Sequence, residues 1–234
     1  MNKKVSFTKL PKHIAFIIDG NGRWAKARGL TRTIGHKYGF DNLIKMINAT
    51  FEFGIKHISI YAFSTENWNR PKSEIDYIFN LVEGWFEDDV LSQFPQTKIN
   101  IMGDITKLPK SLQSHIVNIT EKTKGETKKY LNIGLNYGGR DEIVMAVNTA
   151  LKQGKTEITK EDISNNTYTK NQPDPDFIIR TSGENRVSNF MLWQNAYSEW
   201  YFPKVYWPAF TKKHLVLALQ EYQKRNRRFG AIKE

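Results

Sequence analysis

An α/β fold, with a central mostly parallel sheet flanked by helices, follows from three features of the sequence. Short β-branched runs alternate with segments of helical periodicity, the arrangement that yields parallel strands joined by crossover helices. The first run, His13-Ile14-Ala15-Phe16-Ile17-Ile18, is apolar after its histidine, as a strand covered on both faces must be. It opens abruptly onto Asp19-Gly20-Asn21-Gly22-Arg23-Trp24, and strand ends are where open α/β sheets bind ligands.

In chain order the pattern predicts strands over 14–18, 57–62, 98–102, 131–136 and 176–180, with a further short one near 204–206. Helices are expected between them, at 36–54, 73–91, 109–124, 140–152, 189–200 and 211–226. The 73–91 segment is the clearest, with Tyr77, Ile78, Leu81, Val82, Trp85, Phe86 and Val90 on one stripe at three- and four-residue spacing. Such a stripe builds core; this one is bulkier and more aromatic than packing on a sheet requires and suits the wall of an apolar cavity as well. Repeats, heptads and Pro/Gly/Ser-rich linkers are absent from the sequence, and 234 residues can bury one continuous core, so one domain over 1–234 is expected.

With 35 basic against 24 acidic residues the chain carries +11, which favours acidic partners: diphosphates, nucleic acid or an anionic membrane surface. It contains no cysteine, which excludes disulfides, thiolate metal sites and cysteine nucleophiles and suits a reducing compartment. Met1 to Leu10 has no apolar core of a signal peptide, and no stretch approaches the roughly 20 apolar residues that span a bilayer. A cytoplasmic protein is expected.

At the first strand end, Asp19 alone would repel an anion. A divalent cation between its carboxylate and a phosphate resolves this, with backbone N–H groups and Arg23 taking the remaining oxygens. The expected ligand is a phosphate or diphosphate held through Mg²⁺. Four further segments carry residues that folding alone does not explain. Ile60-Tyr61-Ala62-Phe63 runs into Ser64-Thr65-Glu66-Asn67-Trp68-Asn69-Arg70-Pro71; a turn accounts for Asn69 and Pro71, whereas Trp68 and Arg70 in a loop suit ligand contact. After the strand at 176–180 come Arg180, a glycine loop, Arg186 and Ser188-Asn189, a pair of arginines with a hydroxyl and an expected helix start that together cradle an anion. Asn136-Tyr137-Gly138-Gly139-Arg140-Asp141-Glu142 reads first as a tight turn and helix cap, and second as a ligand contact. Arg32 and His36 share a helical face and serve either the ligand or the surface.

Two anion pockets beside a metal ligand point to transfer between two phosphorylated substrates. Two other readings compete. Gly20-x-Gly22-x-x-Ala25, with Asp41 as a later acid, satisfies a loose dinucleotide-binding pattern, but Asp19 would then face a pyrophosphate without a cation. A nucleic-acid-binding module would use the positive charge and exposed aromatics, yet the arginines sit one per strand end instead of in a stripe. A P-loop is excluded, because the sequence has no Gly-x-x-x-x-Gly-Lys-Ser/Thr run.

Taken as ordered blocks, these residues resemble the cis-prenyltransferase family of the undecaprenyl diphosphate synthase type. His13 to Gly39 is similar to the first signature and Tyr61 to Pro71 to the second. Asn136 to Arg140 is similar to the Asn-Tyr-Gly-Gly-Arg block and Asp176 to Phe210 to the last. The resemblance implies successive cis addition of isopentenyl diphosphate to an allylic diphosphate, typically farnesyl diphosphate, with Mg²⁺, giving a polyprenyl diphosphate such as the cell-wall lipid carrier. It implies that Asp19 is the essential metal-binding carboxylate and Glu199 a further metal ligand. Gly20, Asn21, Gly22 and Arg23 would cradle the allylic diphosphate beside Arg32 and His36, with Trp24 against the prenyl chain. Arg180, Arg186 and Ser188, with Val187 between them, would hold isopentenyl diphosphate. Ser64, Thr65 and Glu66 would border the substrate, with Trp68 and Arg70 on a closing loop. Asn67 is the proton acceptor by resemblance; an amide is a poor base, so we expect it to orient the substrate while a phosphate oxygen takes the proton.

The chain has no Asp-Asp-x-x-Asp motif, Asp88-Asp89 being followed by Val90-Leu91-Ser92, which argues against trans-prenyltransferase chemistry. Tyr38 and Phe40 are bulkier, and Gly134 smaller, than the family pattern. Phe40 either shortens the tunnel or packs into core. The tail Arg228-Phe229-Gly230 resembles a segment that approaches a partner subunit, implying a homodimer through 189–210. Transient contact with a membrane surface is compatible with the charge, and no nucleic-acid partner is expected.

Overall fold

The computed structural model describes residues 6–87 and 90–226. Six parallel strands form one sheet in the order β3-β4-β2-β1-β5-β6: β1 (His13–Ile17), β2 (His57–Ser64), β3 (Thr97–Met102), β4 (Lys129–Tyr137), β5 (Phe177–Arg180) and β6 (Glu199–Tyr201). The helices are α1 (Asn21–Lys26), α2 (Arg32–Glu52), α3 (Lys72–Glu87), α4 (Val90–Gln93), α5 (Lys110–Thr123), α6 (Gly139–Lys152), α7 (Lys160–Ser164) and α8 (Lys212–Gln223).

Every residue of β1 is buried, which is why its sequence does not alternate. On one face Ile14 and Phe16 join Ile58, Ile60, Leu131 and Ile133 of the neighbouring strands. These pack against Leu43, Met46 and Ile47 of α2 and Ile75, Ile78, Phe79, Val82 and Trp85 of α3. On the other face Ala15, Ile17, Tyr61, Tyr137 and Ile178 are covered by Phe190 and Met191. A polar ladder also crosses that face. Asn100 Nδ2 donates to Asn132 Oδ1 at 3.0 Å, and Asn132 Nδ2 to Ser59 Oγ at 3.1 Å. His13 Nδ1 lies 2.7 Å from the Pro173 carbonyl and Nε2 2.8 Å from Ser59 Oγ. Since a proline carbonyl only accepts, Nδ1 carries a proton, and in the neutral ring that burial favours Nε2 accepts from the serine. Burial holds the His13 pKa down at about 4.

Two predicted elements differ. The segment expected as a helix over 189–200 is a series of turns ending in β6, and 204–206 is loop. Ser188, Asn189 and Met191 have φ of 48°, 61° and 47°, left-handed values that no α-helix tolerates. They turn Phe190 and Met191 down onto the sheet, and burying those two side chains outweighs helix formation. The 204–206 backbone is taken up differently, the Val205 carbonyl accepting from Ser182 N at 2.8 Å. Two short helices were not expected, α1 and α7, and α2 begins four residues early at Arg32. Asp88, Asp89 and Arg228-Phe229-Gly230 lie outside the described residues.

Candidate active site

Register places Ile17 beside both Tyr61 and Arg180, so the residues following β1, ending β2 and ending β5 meet on one edge of the sheet. From β1 the chain runs first to β2 and only later adds β5 on the opposite flank. The β1–β5 crevice is therefore where the strand order reverses, the usual ligand site of such sheets. Asp19 sits in it. Its carbonyl accepts from Thr181 Oγ1 at 2.7 Å and from Trp207 N at 3.0 Å, which fixes the backbone. Gly20 then turns with φ of 104°, and a Cβ there would come within 2.7 Å of Tyr206 Cδ1. Only glycine fits this turn, from which α1 starts.

The Asp19 carboxylate accepts from Arg23 Nη2 at 3.1 Å and from Arg180 Nη2 at 3.0 Å. Burial pushes its pKa up, but the two guanidinium groups outweigh this and hold it below the usual carboxylate value. Arg180 is 4% exposed and also donates through Nη1 to the Arg186 carbonyl at 2.7 Å and to Ser188 Oγ at 2.6 Å. Its Nε is buried without a hydrogen-bond partner among the described residues. A buried charged donor in that state suits an anionic acceptor from a ligand. Arg23 continues to Ser182 Oγ at 2.6 Å and to Glu184, which also pairs with Arg186.

A second cluster centres on Glu74, a residue sequence reasoning missed. Its carboxylate accepts from Arg32 Nε at 2.9 Å and Nη2 at 3.0 Å, from Arg70 Nη1 at 3.2 Å, and lies 2.9 Å from His36 Nε2. Burial raises its pKa, yet these partners bring it down to about 2. Arg32 and His36 do share a face as expected, and Glu74 is what gathers them with Arg70. The available signal was an acid four residues beyond Arg70 in the first turn of a helix, ordinarily a solvated position.

Asp19 and the arginines of both clusters rim a cavity of about 560 Å³. Asp19, Gly20, Asn21, Gly22, Arg23, Arg32, His36, Ser64, Glu66, Asn67, Arg70, Arg180, Arg186 and Ser188 line its polar mouth, so fourteen of the predicted residues converge here. Five arginines against two carboxylates leave the lining positive. Deeper in, Phe40, Leu43, Ile78, Leu81, Val82, Trp85 and Ile133 make an apolar interior between the sheet, α2 and α3, as the aromatic stripe of α3 suggested. Asn67 Oδ1 accepts from Ser64 N at 3.2 Å, which orients the amide.

Five predicted residues lie elsewhere. Trp24 packs beneath Tyr38, ring centroids 4.8 Å apart, and under Arg28. Trp68 donates to Asn136 Oδ1 at 2.8 Å and leans on Phe63 and Phe79. Thr65 approaches Asp141 at 3.4 Å, and Val187 is exposed. Glu199 is not brought to Asp19 within this chain: it stands opposite Phe177, three residues before Arg180, and accepts from Arg225 Nη1 at 3.0 Å.

As a donor set the mouth fits Mg²⁺. A single ionised carboxylate on a rigid strand end, among cations that attract phosphate, matches an ion that takes one or two protein carboxylates and otherwise water and phosphate oxygens. Glu83, Glu87 and His115 also lie close together, on α3 and α5, but outside the cavity lining. Among the described residues no helix is long and apolar enough to cross a membrane.

A family model described as "Putative undecaprenyl diphosphate synthase" matches residues 17–230. The isoprenyl transferase of Fusobacterium nucleatum is 47% identical over 225 residues, covering 96% of this chain and 97% of that protein. The isoprenyl transferase of Clostridium tetani is 43% identical, covering 98% and 92%. Among solved structures, lavandulyl diphosphate synthase from Lavandula x intermedia, in complex with dimethylallyl diphosphate, superposes with a TM-score of 0.88 at 34% identity, covering 94% of this chain and 98% of that one. A probable undecaprenyl diphosphate synthase from Campylobacter jejuni gives 0.78 at 30% identity, covering 96% and 100%. Strand-end arginines around a lone aspartate, an apolar cavity behind them and agreement along nearly the whole chain lead to one conclusion: the chain belongs to the cis-prenyltransferase family, that of the undecaprenyl diphosphate synthases, and is an enzyme of isoprenoid biosynthesis.

Proposed function

We propose that this enzyme condenses isopentenyl diphosphate onto an allylic diphosphate, with Mg²⁺ at Asp19, and releases diphosphate at each step. The observation that carries the reading is the two-part cavity: a cationic mouth at the strand ends joined to an apolar interior, which matches a substrate with a diphosphate head and a hydrocarbon tail. Bound Mg²⁺ would neutralise charge developing on the departing diphosphate. Arg23, with the backbone from Gly20 to Gly22, holds the allylic head group. Arg180, Arg186 and Ser188 hold the second diphosphate, so that its double bond faces the allylic carbon. Ionisation builds negative charge on the leaving oxygens, and the fixed guanidinium groups stabilise that state more than the ground state. Asn67 orients the incoming unit, and a phosphate oxygen accepts its proton. The apolar interior keeps water from the allylic cation.

Product length follows from the far end of the cavity. Phe40 and Trp85 meet edge to face there, centroids 5.5 Å apart at 83°. The resulting volume, about 560 Å³, lies within the roughly 300–1,000 Å³ that takes a drug-sized molecule. The product is a polyprenyl diphosphate such as the eleven-unit carrier, or a shorter chain if Phe40 closes the cavity. The enzyme acts as a homodimer through 189–210, where Tyr197 is 65% exposed, and works in the cytoplasm with transient membrane contact. Incubation with farnesyl diphosphate, labelled isopentenyl diphosphate and Mg²⁺, followed by product sizing, tests the reading. Products growing in five-carbon steps are expected; unreacted substrates under these conditions would refute it.

A further inference from the structure

The Asn136–Glu142 block was singled out in the sequence, yet Gly138, Gly139 and Arg140 do not themselves line the cavity. Their contacts lead to Asn189, which does line it. The Asn189 carbonyl accepts from Gly139 N at 2.7 Å, and its side-chain Oδ1 accepts from Arg140 N at 2.9 Å. With the oxygen committed to a backbone donor, the amide nitrogen must point the other way, and Nδ2 donates to Glu66 Oε1 at 2.9 Å. One side chain thus joins three segments: the start of α6, the 3₁₀ turn Thr65–Asn69 that carries Glu66 and Asn67, and the arginine loop 180–188 that leads into Asn189. Gly138 leaves room for this junction: a Cβ there would lie 2.7 Å from Asn189 Nδ2 and 2.8 Å from Thr65 Oγ1, and would displace those side chains. Asparagine also tolerates the left-handed φ of 61° that aims its amide into this junction. Next to it, Phe190 stacks on Tyr61 with centroids 4.5 Å apart, which pins the loop to β2.

We propose that Asn189 is a positioning residue that fixes the Glu66–Asn67 turn against the arginine loop, and so sets the distance between the group that orients one substrate and the groups that hold its diphosphate. The assignment of those roles rests on the prenyl-transfer reading; the mechanical link itself does not. Aspartate cannot replace this asparagine, since its carboxylate would keep the acceptor for Arg140 but face Glu66 with like charge. Exchanging the partner at the same time, Glu66→Gln with Asn189→Asp, restores a donor opposite an acceptor.

The test has two arms. Hydrogen exchange on the full-length protein is compared with Asn189→Gly, which accepts the same φ without the side chain. Faster exchange across 64–69, with α2 and β1 unchanged, is expected; unchanged exchange at 64–69 overturns the link whether or not the protein transfers prenyl groups. In the kinetic arm, Asn189→Asp is expected to lower kcat at least tenfold with Glu66 present, and by clearly less in the Glu66→Gln background. Equal losses in both backgrounds, or a loss confined to melting temperature, would show that Asn189 merely caps α6. If the parent forms no elongated product, the transfer reading fails by itself, and the exchange arm still decides the link.

Discussion

At the scale of single residues, the site is a set of carboxylates that each organise several cations. Asp19 holds Arg23 and Arg180, Glu184 holds Arg23 and Arg186, and Glu74 holds Arg32, Arg70 and His36. Each guanidinium therefore faces the cavity from a fixed place and loses less freedom on binding a diphosphate. Glu74→Gln keeps the size of the side chain and weakens all three charge-assisted bonds. We expect it to lower kcat/KM for the allylic diphosphate roughly tenfold or more, read by steady-state kinetics; an unchanged value would mean that Arg32 and Arg70 need no such anchor. Asn67→Ala should reduce kcat by about a hundredfold while diphosphate affinity stays near that of the parent, because it removes orientation and leaves the arginines in place. Full turnover in that variant would contradict the role given to Asn67.

At the scale of elements, the proposed reading gives control of product length to α2 and α3. Phe40 sits on α2 in reach of Trp85 on α3, and it both lines the cavity and leans on the core. Phe40→Ala opens the floor, and product sizing should show longer chains; an unchanged ladder would place the limit elsewhere. Strands β1 to β5, the long helices and the cationic strand ends were legible in the sequence because burial on both faces of the sheet leaves continuous apolar runs, broken only where the chain reaches solvent; β6 was not, since it falls where a helix was expected. Segment 189–198 was not. Its apolar residues match a helical stripe, and the left-handed backbone that cancels this depends on the face of the sheet that Phe190 and Met191 cover. Glu74 was hidden for a similar reason: an acid at a helix start looks solvated until two arginines and a histidine from other elements close over it.

At the scale of the whole molecule, charge and protonation set the working range. Because His13 is buried neutral with its pKa lowered to about 4 from 6.5, the unfolded chain takes up a proton over that interval while the folded one does not. Stability is therefore constant for this group above pH 6.5, falls as pH drops from 6.5 to 4, and levels off below, a loss of up to about 3 kcal/mol. Urea unfolding at pH 7, 5.5 and 4.5 should show a shallower decline in His13→Asn than in the parent; parallel curves would contradict it. The positive mouth also implies that diphosphate capture slows as salt rises. Central to the whole account is the ionised Asp19 between two arginines, with Mg²⁺ as its partner in transfer. The most direct measurement is elongation of farnesyl diphosphate by labelled isopentenyl diphosphate in the parent, in Asp19→Ala and in the parent with excess EDTA. A loss of roughly a hundredfold or more is expected in both of the latter, and rates equal to the parent's would contradict it.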